Sequence, residues 1–171
     1  MPDPEVSLQP VLAGHEKSIE RFLSEPESLG LDWSGFGNLA RHRSRLLKDG
    51  YIGARGGLLA VVSDERCVGE VSWQAAHYGG PAHAWRIGVG VLPEARGRGI
   101  ARAAQLLLCA YLFEHTTAER IEAVVRTDNT SEQHALESIG FTRDGTLPRA
   151  QFKLGSWHDL ALYSMVRADR P

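Results

Sequence analysis

Only two cysteines, Cys67 and Cys109, stand among the 171 residues, too few and too unpatterned for a disulfide framework or a zinc site. Cys109 lies inside the apolar run LLLCAYLF, which marks it as a buried thiol. No apolar run approaches the length of a membrane span. The opening MPDPEVSLQP has neither the basic start nor the apolar stretch of a signal peptide. The expectation is a reducing, cytoplasmic setting, with no membrane partner and no metal. Nor is either sign of charge in excess, since 19 Lys and Arg meet 21 Asp and Glu. That balance disfavours a chain that coats nucleic acid. No repeat or low-complexity linker divides the sequence, and its length suits one domain over residues 1–171.

What is present is a regular alternation of patterns. VSLQPVL (6–12) reads as a short strand, and AGHEKSIERFLSEP (13–26) as a helix with Ile19, Phe22 and Leu23 on one side. SLGLDWSGFGN (28–38) reads as a loop, and LARHRSRLLKDG (39–50) as a helix stopped by Gly50, with Arg41, Arg45 and Lys48 on one face. Strands are expected at 57–63, 67–78 and 83–92. A long helix follows at 99–116, with an inner stripe of Ile100, Ala103, Leu107 and Tyr111 widened by Leu106 and Leu108. A strand at 120–127 leads to a helix in 128–141, capped by Asn129 with Glu132 completing a capping box. Two antiparallel strands end the chain. The order predicts an α/β fold of the α+β mixed-sheet kind, with helices on both faces.

The stretch PEARGRGIAR (93–102) follows a strand that itself contains Gly88 and Gly90. A glycine turn between a strand and a helix N-terminus offers unpaired amides and the positive end of a helix dipole, the requirements for binding phosphate. Arg96, Arg98 and Arg102 add charge. No lysine stands where a Walker loop needs one, and Arg102 occupies the place of the third glycine of a dinucleotide fingerprint. Gly88 and Gly90, unusual inside a strand, mark a bulge or the close approach of a ligand.

ARGRGIA is similar to the Arg/Gln-x-x-Gly-x-Gly/Ala signature of the GNAT superfamily of acyl-CoA-dependent N-acyltransferases, with Arg96, Gly99 and Ala101 in the defining places. IGVGVLPEARGRGIA resembles that family's fourth strand and pyrophosphate loop, and NTSEQHALESIGF its Asn-bearing helix. The late GTLPRAQFKLGSWHDLALYSMV resembles the tail of the ribosomal-protein (Rim-type) branch, which acetylates protein N-termini. The resemblance implies a GNAT-like fold with a central, mostly antiparallel sheet. It implies acetyl transfer from acetyl-CoA straight to a primary amine, either a protein N-terminus or a small molecule. Longer acyl-CoA or aminoacyl-tRNA donors, and a non-catalytic acyl-CoA sensor, are the alternatives. So nucleic acid is disfavoured as a partner without a tRNA donor being excluded. A homodimer is compatible with the resemblance.

Residue by residue, the resemblance assigns the pantetheine arm to the backbone of Val89, Gly90 and Val91. The pyrophosphate falls to the amides of Arg96, Gly97, Arg98, Gly99, Ile100 and Ala101. Asn129 is placed against the pantetheine or an ordered water. Many members carry a tyrosine acid where this chain has Leu136. The serine of the Rim-type branch corresponds to Glu132, with Ser131 beside it. Glu70 is the leading general base, ahead of His83, His134 and Asp159. Trp33, Phe36, Trp85 and Trp157, with Trp73, are the residues expected at the acceptor pocket.

Overall fold

The computed structural model describes residues 4–79 and 84–169. His83, with most of the turn before the strand that begins at Ala84, lies outside the described residues. The order is β1 (Ser7–Gln9), α1 (Glu16–Ser24), α2 (Leu39–Asp49), β2 (Gly56–Ser63), β3 (Arg66–Ala76) and β4 (Ala84–Val91). Then come α3 (Ile100–His115), β5 (Arg120–Arg126), α4 (Thr130–Ser138), β6 (Thr142–Lys153) and β7 (Ser156–Val166). This is the order expected from the residue patterns.

The strands form one seven-stranded sheet in the order β1-β2-β3-β4-β5-β7-β6. Every neighbouring pair is antiparallel except β4 with β5. Alternate residues of each strand feed opposite layers. Leu59, Val61, Val71, Ile87, Ile121 and Ala123 face α3 and α4, in the larger core. Ala60 and Val62 face the other way, packing with Ile19 of α1 and with Tyr51. Between the first two helices the chain makes two short 3₁₀ turns, Pro26–Ser28 and Gly30–Asp32. Asn38 caps α2 by accepting from the Arg41 amide at 2.9 Å, and Gly50, at φ 58°, ends it. Among the described residues no helix is long and apolar enough to cross a membrane.

The long helix is turned relative to expectation. Ile100, Ala104, Leu108 and Leu112 form its buried spine, whereas Leu106 and Leu107 are more than one-third exposed. Three consecutive leucines point in three directions, so they carry no phase, and the tertiary contacts decide which one is buried. Each of the fully buried leucines contributes about 1.5–3 kcal/mol by leaving water. Cys109 is buried, and burial pushes its thiol up to about 12.

Candidate active site

Strands β4 and β5 pair over only four residues each, from Ala84 opposite Arg120 to Ile87 opposite Ala123. Beyond that point β4 stays with β3 as far as Val91, and β5 stays with β7 as far as Arg126. The facing edges of Gly88–Val91 and Val124–Arg126 diverge. That leaves main-chain groups which a strand-like ligand is able to pair. The β3–β4 register is unbroken, so the two glycines mark no bulge. Gly90 answers to packing: a Cβ there would lie 3.1 Å from Phe22 Cε1 and 3.4 Å from Leu29 Cδ2, so α1 rests directly on the strand.

Three cavities meet at the divergence. A gap of about 200 Å³ lies between the strands, walled by Gly88, Val89, Val125, Arg126 and Leu136 among others. Toward the start of α3 it shares Asp32, Val89, Arg126, Asn129 and Glu132 with a cleft of about 530 Å³ that also touches Gly90, Val91, Arg96, Ala101 and Ser131. Toward Arg45 of α2 it shares Ile87, Gly88, Val124 and Gln151 with a cavity of about 900 Å³. The divergence thus joins two chambers.

The glycine turn borders the first chamber. Gly97 and Gly99 adopt φ 73° and 77°, and α3 begins at Ile100 with no side-chain cap. The amides of Gly97, Arg98 and Gly99 meet no acceptor among the described residues. The arginine side chains are turned to neighbouring protein groups. Arg96 donates through Nε to Val91 O at 2.9 Å and through Nη2 to Ser28 O at 2.6 Å. Arg98 reaches Asp64 at 2.7 Å, and Arg102 Nε reaches Ser138 Oγ at 3.1 Å. An anion here would meet amides and a helix dipole first, with guanidiniums holding the frame around them.

Asn129 caps α4 by accepting from the Glu132 amide at 3.2 Å, while its Nδ2 donates to Asp32 Oδ2 at 3.4 Å. The expected capping box is only half formed. The Asn129 amide donates to Arg126 O at 3.0 Å, which leaves the Glu132 carboxyl free to turn inward. Burial raises that carboxyl to about 7; a hydrogen bond from Gln105 opposes the shift and the Asp32 charge adds to it. Ser131 is exposed at the cleft wall. The loop bearing Asp32 is tied to the last hairpin as well, since Lys153 donates to Asp32 O.

Glu70 stands opposite Gly90 in the β3–β4 register and is half-buried. Burial pushes its carboxyl to about 7. It lines none of the three cavities. Asp159 accepts the Arg149 amide at 2.7 Å, a structural duty, and His134 is exposed. Nor do the four expected aromatics line the 900 Å³ cavity, although Trp73 does. Trp33 and Phe36 stack edge-to-face at 5.0 Å beside it, with Phe36 78% exposed. Trp157 is at the end of the β6–β7 hairpin against Phe152, its ring 5.4 Å away. Trp85 sits with the α3 core and donates to Thr116 Oγ1 at 3.0 Å, so its indole serves packing.

Asp32, Gln105, Arg126 and Gln151 also line these cavities, at positions that no motif in the sequence marks. One signal was available. Gln105 interrupts the apolar run of α3 and is 1% exposed, so a buried polar partner had to exist.

Comparison with known proteins agrees with this geometry. The family model described as the acetyltransferase (GNAT) domain matches residues 6–142. A putative ribosomal N-acetyltransferase of Bacillus subtilis, YdaF, is 30% identical over 83 residues, 48% of this chain and 45% of that protein. The match therefore spans about half the length of that curated relative. Mycobacterium smegmatis RimJ, solved in complex with CoA-disulfide, is 26% identical with a TM-score of 0.79, covering 97% of this chain and 84% of that one. The spermidine N-acetyltransferase of Vibrio cholerae, solved with CoA and spermine, shares the fold at a TM-score of 0.83 and 17% identity, over 96% of each chain. With the family model spanning most of its length, and with divergent strands leading to a glycine turn, the chain belongs to the GNAT acetyltransferase family.

Proposed function

We propose that the protein transfers an acetyl group from acetyl-CoA directly to a primary amine, with both substrates bound together. The observation that carries this is the parting of β4 and β5 after Ile87 and Ala123. It sets open strand edges between a chamber bordered by the glycine turn and a second, larger chamber. The turn's amides hold the pyrophosphate, and Val89 to Val91 hold the pantetheine arm. The thioester then lies in the gap, where a backbone amide of β4 is placed to stabilise the oxyanion.

An ammonium acceptor gives one proton to a base, and its nitrogen then attacks the thioester carbonyl. The new N–C bond forms, the C–S bond breaks, and the nitrogen gives its second proton to water. CoA leaves as thiolate and is protonated from solvent; no dedicated acid is needed for so good a leaving group. Leu136 is fully buried in the gap wall, where it offers no proton. Of the carboxyls poised near neutrality, Glu132 lines the gap and Glu70 does not. We therefore assign proton removal to Glu132, through water, with Glu70 second. Asn129 and Ser131 position the donor at the mouth of α4.

A thermal-shift series with acetyl-CoA, CoA and ATP tests the donor. Both CoA compounds should raise the melting temperature and ATP should not. No shift with either CoA compound sinks the proposal. Thiol release from acetyl-CoA across a panel of amines then separates an enzyme from a sensor.

A further inference from the structure

The larger chamber has a chemical character of its own. Among the described residues no aspartate or glutamate lines it, whereas Arg45, Arg55 and Arg86 do, from α2, the approach to β2, and β4. The carboxylates behind them are already matched. Glu122, fully buried, accepts from Arg86 Nη2 at 3.1 Å, Arg120 Nε at 2.8 Å and the Tyr78 hydroxyl at 2.6 Å. Burial disfavours its charge, but these three donors win and hold the carboxyl below its usual range. Among the described residues Arg45 pairs with Asp49, 3.9 Å away one turn along its own helix, and its guanidinium lies 5.7 Å from the centre of the Tyr51 ring. Arg55 makes no ion pair with any described residue. A polycation entering this chamber would meet guanidiniums and no carboxylate to receive it.

Two wall residues also carry buried polar atoms without a hydrogen-bond partner, Arg86 Nε and Gln151 Oε1. Leaving a buried polar atom unpaired is costly, so such atoms generally have a partner that a ligand or water supplies. One is a charged donor and the other a neutral acceptor. Gln151 borders both this chamber and the gap. An acceptor nitrogen near the gap would find its oxygen, and an anionic group farther out would find the arginines.

We infer that the acceptor is an amine that also carries a carboxylate, an amino acid or a short acidic peptide, and not a polyamine. Arg86 and Arg55 take the carboxylate, and Gln151 Oε1 accepts from the amine N–H. The transfer is the one written above: the N–C bond forms, the C–S bond breaks, and CoA leaves with the electron pair. This inference rests on the acetyl-CoA proposal.

The test compares thiol release from acetyl-CoA with amino acids and acidic dipeptides, with their carboxamide counterparts, and with spermidine. Each charge-assisted hydrogen bond is worth about 1.5–3 kcal/mol, so the carboxylates should exceed their amides by at least roughly tenfold in kcat/KM. Arg55→Gln, an exposed and unpaired position, should reduce that preference several-fold while the melting shift with CoA stays unchanged. Arg86→Gln should reduce it further; Arg55→Gln keeps the test decisive if loss of Arg86 disturbs the Glu122 network. A CoA shift together with spermidine turnover equal to or above the carboxylates overturns the inference alone. So does a CoA shift with no turnover of any carboxylate-bearing amine, or an unchanged preference in Arg55→Gln. Absence of the CoA shift overturns the donor proposal and this inference with it.

Discussion

The two chambers on either side of the strand divergence are built on opposite plans. The proposed donor side is bordered by one contiguous turn whose Gly97, Arg98 and Gly99 amides meet no acceptor among the described residues and whose arginine side chains are engaged with protein groups. The proposed acceptor side is made of side chains from several elements, with Arg86 Nε and Gln151 Oε1 unpaired among the described residues. A backbone cradle is insensitive to which side chains surround it, which suits a constant anionic ligand. A wall of side chains changes character with each substitution, which suits a ligand that differs between relatives.

The sharpest way to break this contrast is Gly99→Val. At φ 77° a valine is strained by about 1–2 kcal/mol, and relief of that strain would swing the turn's amides away. Losing three such charge-assisted contacts amounts to about 4.5–9 kcal/mol, a thousandfold or more in CoA affinity by calorimetry. Normal CoA binding by this variant would mean that the turn is not the cradle.

Glu132→Gln probes the junction itself. A general base in this class contributes about 100-fold, so kcat should fall by about that much with CoA affinity nearly unchanged. Because the Glu132 carboxyl is raised to about 7, activity in the wild-type protein should climb as pH rises through neutrality, and the variant should lose that limb. A retained limb would return the duty to Glu70.

A smaller effect is expected on stability. The Glu70 carboxyl is raised from an ordinary 4.5 to about 7 by burial. The fold therefore favours its neutral form, and this contribution is complete below about pH 4.5 and lost as pH rises through 7. Glu70→Gln should accordingly match the wild type near pH 4 and gain several degrees in melting temperature above pH 7.5. The same melting temperature at both pH values in variant and wild type would show that the site is open to water. Smallest of all is Arg98→Ala, whose side chain belongs to an exposed pair with Asp64. Exposed pairs contribute about 0–1 kcal/mol, so CoA affinity should change less than about fivefold.

The same contrast explains what the residues reveal in order. Gly97, Gly99 and the start of α3 are adjacent in sequence, so their geometry and likeness to a known motif are both legible before any fold is built. Asn129 as a cap is legible for the same reason. The partners of the arginines are not. Arg96 bonds Ser28, 68 positions away, and no local pattern encodes that contact. The proposed acceptor wall gathers Arg45, Arg86 and Gln151 from three elements, with Trp73 beside them, whereas Trp85 packs with the α3 core, Trp157 stands at the hairpin end and Trp33 pairs with the exposed Phe36. The phase of α3 was hidden by its leucine run, which only the sheet beneath it could resolve.

Calorimetric titration of acetyl-CoA into the wild type, Gly99→Val and Arg98→Ala addresses the backbone cradle most directly. Saturable binding by the wild type and by Arg98→Ala, with none by Gly99→Val, is the predicted result. Equal binding by all three proteins, or loss of binding in Arg98→Ala alone, would contradict it.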